Sequence, residues 1–123
     1  MAAQTDFWGD IAPATVRTPV AILREQASLL GTKTENLIEA AVETGISQGR
    51  FQYRFNLVVP ALDNYTYQLF RIEHGIDLYP LRVFDKEILG LNTEDDFVDW
   101  LRNRLSSDDT KKIIGNLLAQ VNS

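Results

Sequence analysis

The stretch Phe51–Phe84, FQYRFNLVVPALDNYTYQLFRIEHGIDLYPLRVF, decides the fold, because it alternates apolar and polar residues and carries most of the aromatic side chains. Phe51, Tyr53, Phe55, Leu57 and Val59 fall on one side of an extended chain, and Gln52, Arg54, Asn56 and Val58 fall on the other. With Pro60–Asn64 as a turn, Leu57 faces Tyr67 and Phe55 faces Leu69, which puts Tyr65, Tyr67 and Leu69 on the same apolar face. A second turn at His74 and Gly75 returns a strand with Tyr79, Leu81 and Val83 inward and Leu78, Pro80, Arg82 and Phe84 outward. Pro80 has no N–H to give a ladder, so this strand is expected at a sheet edge.

Upstream, Asn36–Ile46 would suit two turns of helix through Leu37, Ile38, Ala41 and Val42, and strand register decides against that. If Ser47 and Gln48 turn between Gly45 and Gly49, then Val42, Ala40 and Ile38 lie opposite Tyr53, Phe55 and Leu57. On the outer face Glu43 then lies beside Gln52, and Ala41 beside Arg54 with Glu39 and Glu43 on either side, so opposite charges are neighbours. The segment is read as the first of four antiparallel strands.

Helices flank this meander. Thr18 followed by Pro19 reads as a cap and first helical position, and Gly31 as a left-handed stop, giving a helix over Pro19–Leu30. Val20, Ile22, Leu23, Ala27 and Leu30 form its apolar stripe, with Arg24, Glu25 and Gln26 outward. After Phe84 the run DKEILGLN reads as a connection with Ile88 and Leu89 packed down. Thr93 caps a second helix whose first turn holds Glu94, Asp95 and Asp96, where the helix dipole favours negative charge. Phe97, Val98, Leu101 and Leu105 make its inner face, bordered by Trp100. Ser106 or Ser107 starts a third helix, with Asp108 and Asp109 in the first turn and Ile113, Ile114, Leu117, Leu118 and Val121 as its stripe.

The expected fold class is α+β: an N-terminal helix, a four-stranded antiparallel β-meander and two C-terminal helices. Residues 1–17 read as a tail tethered in part by Phe7 and Trp8, and 18–123 as one domain. With 123 residues, 45% hydrophobic and 24% charged, the balance is that of a globular chain. No apolar run reaches the length of a membrane span, the start MAAQTDFWGD has no signal-peptide pattern, and no cysteine is present. These features fit the cytoplasm and a protein that does not enter the membrane.

A net charge of −5 opposes nucleic-acid binding, and although tyrosines and arginines on a sheet could stack bases, the pattern of RNA-binding sheets is missing. The single histidine, His74, lies between Glu73 and Gly75, where an acid could orient a general base, yet a hairpin turn accounts for these residues on conformational grounds alone and is the preferred reading. Glu94–Asp96 with Asp99 lacks the spaced oxygen ligands of a calcium loop, and capping accounts for it. Gly45 and Gly49 flank a turn without a phosphate-loop pattern. No cofactor, metal or catalytic residue is read from the chain.

The outer sheet face carries the functional signal. Val58, Phe70, Ile72, Leu78 and Phe84 share it with Arg54 and Arg82, an apolar patch rimmed by charge that one helical layer cannot cover together with the inner face. The expected function is that of a small acidic protein–protein interaction module, heteromeric or homo-oligomeric, in the latter case a dimer, without catalysis of its own. The rival reading is a small-molecule-binding protein or minor enzyme with a pocket between the sheet and the C-terminal helices, and Tyr53, Arg71, Tyr79 or His74 at its mouth.

Overall fold

The structure is a computed structural model that describes residues 5–123; residues 1–4 of the expected tail lie outside the described residues. Its elements run α1 (Pro19–Lys33), β1 (Glu39–Ser47), β2 (Arg50–Val59), a 3₁₀ turn (Pro60–Leu62), β3 (Tyr65–His74), β4 (Leu81–Phe84), β5 (Ile88–Leu91), α2 (Glu94–Leu105) and α3 (Asp108–Val121). The five strands form one antiparallel meander in the order β1-β2-β3-β4-β5. The fold is therefore α+β with one strand more than the sequence suggested.

The extra strand comes from the run read as a connection. Leu81 pairs with Leu91 and Val83 with Leu89, so Leu89 turns inward and is half-buried while Ile88 is 67% exposed on the other side. Ile88 is thus not packed down. β4 is an interior strand, not an edge, and Pro80 stands one residue ahead of it, where its missing N–H interrupts no ladder.

Between β1 and β2 the turn residues are Gln48 and Gly49, with φ of 53° and 74°. Two successive left-handed residues make the hairpin turn whose twist matches that of the strands, and glycine suits its second position. The ladder consequently sets Val42 opposite Phe55 and Ala40 opposite Leu57, two residues from the expected register. Because side chains alternate with period two, that slip leaves every residue on its expected face. It also brings Glu43 directly opposite Arg54, with 3.3 Å between their charged groups. Gln48→Asn should stabilise the chain by about 0.5–1 kcal/mol, since asparagine tolerates the left-handed region that glutamine enters at a steric cost. A chemical-denaturation midpoint that stays put or falls would mean the Gln48 side chain has a role of its own.

β3 departs from simple alternation. Leu57 faces Tyr67 as expected and Asn56 faces Gln68, but Phe55 faces Phe70, so Leu69 is an extra residue bulged out of the ladder. Beyond it the parity reverses. Phe70 and Ile72, expected outward as interface residues, turn into the core with 1% and 0% exposure, and Arg71, expected at an inner pocket, turns outward opposite Arg54. β3 also runs on through His74, which pairs with Phe51 instead of forming the turn.

α1 starts as read, with the Thr18 hydroxyl accepting the Ala21 N–H at 3.2 Å. It continues through Gly31, which is helical, and stops at Thr34, after which Glu35 and Asn36 take the left-handed conformation. The Thr93 hydroxyl caps α2 through the Asp96 N–H at 3.1 Å, and Ser107 caps α3 through Thr110 at 3.2 Å. All three helices lie against the sheet face that carries Phe55, Leu57 and Phe70. The core there joins Ile22 and Leu23 of α1, Phe97 and Leu101 of α2, and the inward residues of β2, β3 and β4.

Candidate binding groove

The helical layer does not close. The stripe of α1 packs along β1, while α2 is anchored farther across the sheet by Trp100, whose ring meets Phe70 edge-on at 4.9 Å. α1 and α2 touch only narrowly, and α3 turns away toward the 3₁₀ turn after β2. A cleft of about 410 Å³ is left between them. Its floor is Phe55, Leu57 and Leu69; one wall is Ile22, Leu29 and Leu30, and the other is Val98, Leu101, Leu105 and Ile114. The bulge at Leu69 contributes directly, because it turns that extra side chain toward the cleft.

The groove is apolar within and basic at its rim. Arg17, Lys33 and Arg102 line it, and no carboxylate does. Arg17 is paired with Glu25, which holds its guanidinium above the ordinary value, and Arg102 lies 3.4 Å from Asp99, whereas Lys33 has no ion-pair partner among the described residues. The one deeply buried polar side chain in the lining, Thr110, is 1% exposed and already satisfied: its hydroxyl donates to the Arg104 carbonyl and accepts from the Arg104 guanidinium, each at 2.6 Å. Nearby α3 is incompletely covered. Ile113, Ile114, Leu117, Leu118 and Val121, expected as a core stripe, are all half-buried and none is fully buried.

The chain matches no known family model, no curated protein and no solved structure. Function must therefore be read from this geometry.

The residues singled out from sequence lie elsewhere. His74 is 4% exposed, its ring 5.3 Å from that of Phe51 and 5.6 Å from that of Tyr53, with Nδ1 2.7 Å from the Gly75 carbonyl. It is a core histidine, and beside it burial pushes the Tyr53 hydroxyl above its usual pKa, with Arg24 opposing. Arg71 lies on the outer face, stacked 4.2 Å over the Phe84 ring. Tyr79 is half-buried, and its hydroxyl has no hydrogen-bond partner among the described residues. None of these four lines the groove.

Burial, reinforced by the charge of Glu94 and opposed by Arg17, pushes the Tyr79 hydroxyl up to about 12. Because the folded value lies above the unfolded one near 10, Tyr79 contributes stability that is complete below about pH 10 and is lost as pH rises toward about 12. Tyr79→Phe should remove the latest tyrosinate step in an absorbance titration and flatten the alkaline fall of stability. An unchanged titration would place that step on another tyrosine.

Of the expected interface residues, Val58 and Phe84 remain outward and half-buried, Leu78 is half-buried in the loop before β4, and Arg82 is exposed. Arg54 is engaged with Glu43, and Arg71 covers Phe84, so the outward apolar patch is smaller and more interrupted than the sequence implied. Among the described residues no group of three or more His, Asp or Glu side chains is placed to hold a metal ion, and no helix is long and apolar enough to cross a membrane. Sequence reasoning missed Leu29, Lys33, Arg102 and Ile114 as groove residues. Their only signal was that the stripes of three helices together hold more apolar surface than one sheet face can bury.

Proposed function

We propose that the chain is a small acidic protein–protein interaction module without catalysis of its own, and that its binding surface is the groove between α1 and the α2–α3 pair. The observation that carries this reading is a cleft between the helices whose base of Phe55, Leu57 and Leu69 is buried but whose accessible walls are the apolar Leu29, Leu30, Val98, Leu105 and Ile114, continuous with a half-covered α3 stripe. Apolar surface of this kind, rimmed by charge, is the usual mark of a docking site. A cleft of about 410 Å³ would also admit a small molecule, but such sites owe their specificity to convergent polar groups, and the buried Thr110 hydroxyl is already spent on Arg104. The net charge of −5 supports a protein partner over a nucleic acid.

The test is to charge the groove. Ile114→Glu, and Leu29→Glu at a residue that is 49% exposed, should leave the circular dichroism spectrum and melting temperature near those of the parent chain while abolishing association measured by light scattering at rising concentration. If both variants associate as the parent does, the groove is not the surface used.

A further inference from the structure

The segment preceding α1 exposes its largest residues to water. Phe7 is 93% exposed, Trp8 82%, Ile11 76% and Val16 66%. This is not random coil with stray apolar residues: the Asp6 carboxylate accepts the Trp8 N–H at 2.8 Å, and Gly9 takes a φ of 66°, so a turn presents Phe7 and Trp8 together. Aromatic side chains are large apolar anchors that most often find a pocket, and Asp6 and Asp10 give this arm a negative charge in the segment that presents them. The groove has the opposite character, apolar within and edged by Arg17 and Arg102, each already paired with a carboxylate, and by Lys33, which has no ion-pair partner among the described residues.

Arm and groove stand open at the same time in one chain. We infer that the Asp6–Ile11 arm of a second copy of this chain docks in the groove, Phe7 and Trp8 packing against the accessible walls at Leu29, Leu30, Val98 and Ile114 and the aspartates reaching Lys33 at the rim. The arm leaves from Arg17, itself a groove residue, and the stretch from Ile11 to Arg17 can span about 20 Å when extended. Two copies facing each other across their groove mouths can therefore exchange arms reciprocally, filling both grooves in one closed pair. This rests on the reading of the groove as a protein-docking surface and names its occupant.

The experiment uses full-length chains with the double variant Phe7→Ala, Trp8→Ala and, separately, the groove variants Ile114→Glu and Leu29→Glu. The parent chain should reach twice the monomer mass in light scattering, with Trp8 shielded from acrylamide as concentration rises, read in a Trp100→Phe background. Arm and groove variants should each be folded monomers. Mixed in equal amounts they should form a one-to-one pair, because the intact arm of one fits the intact groove of the other. An arm variant that still pairs while the groove variants do not overturns the arm as occupant and leaves the groove as an interface. If neither kind of variant alters pairing, both readings fail. Trp8 shielded equally in dilute monomer would show the arm closing on its own groove, and a monomer with Trp8 exposed at every concentration would show that a second copy is not the occupant; either overturns the inference.

Discussion

Phe70→Ala should destabilise the chain by about 3–5 kcal/mol, a large part of what holds a domain of this size together. Phe70 is 1% exposed, its ring lies parallel to that of Phe55 at 5.1 Å, and Trp100 meets it edge-on at 4.9 Å. Truncation removes the transfer energy of a buried ring, leaves a cavity under α2, and breaks both aromatic pairs. Denaturant unfolding followed by tryptophan fluorescence measures it, since Trp100 reports the site directly. Phe70→Glu should not fold at all. A loss below about 1 kcal/mol for the alanine variant would show that the bulge at Leu69 is absent and that Phe70 faces outward after all.

Arg104→Met is expected to cost about as much, about 3–5 kcal/mol, for an electrostatic reason. The Arg104 side chain is 10% exposed and holds three elements at once: Nε lies 2.7 Å from Asp85 after β4, and Nη1 lies 3.3 Å from Asp109 and 2.6 Å from the Thr110 hydroxyl at the start of α3. Asp85 is itself only 16% exposed, so removing the guanidinium strands a carboxylate that water reaches poorly. Arg104→Lys should recover only part of the loss, because an ammonium cannot reproduce the planar fork that serves three partners. The double variant Asp85→Asn, Arg104→Met should be less destabilised than the sum of the two single changes, as residues sharing one network are. Additive losses would show that the two groups act independently.

Much of the sheet was legible because two signals agreed. The period-two alternation from Phe51 to Val59 assigned the faces of β2, and hairpin pairing carried that assignment to Ala40 and Val42. Leu81 and Val83 were also read on the inner side, where the structure places them, though the β3 residues they pair beside were read with the opposite parity. The two-residue error in the first hairpin was harmless for the same reason. The bulge was not legible, since Leu69 and Phe70 are neighbouring apolar residues and either parity buries one of them. β5 escaped because four residues containing a glycine carry too little alternation to stand out from a loop. Gly31 misled because glycine commonly ends helices, whereas here Glu35 and Asn36 make the left-handed turn. The groove was out of reach of sequence alone: amphipathic stripes say which face of a helix is apolar, and nothing about how far apart two helices come to rest on a sheet.

Leu69 also gives the chain a place where its length can change. Elsewhere in β3 the loss of one residue would turn over everything on one side of the gap, sending Phe70 and Ile72 outward and Arg71 into the core. Loss of Leu69 would instead join Gln68 directly to Phe70, keeping the pairs Asn56 with Gln68 and Phe55 with Phe70 and removing only one side chain from the groove floor. Single-residue variation in this strand should therefore be survivable at Leu69, where the chain would keep its fold while giving up one side chain at the base of the proposed docking groove.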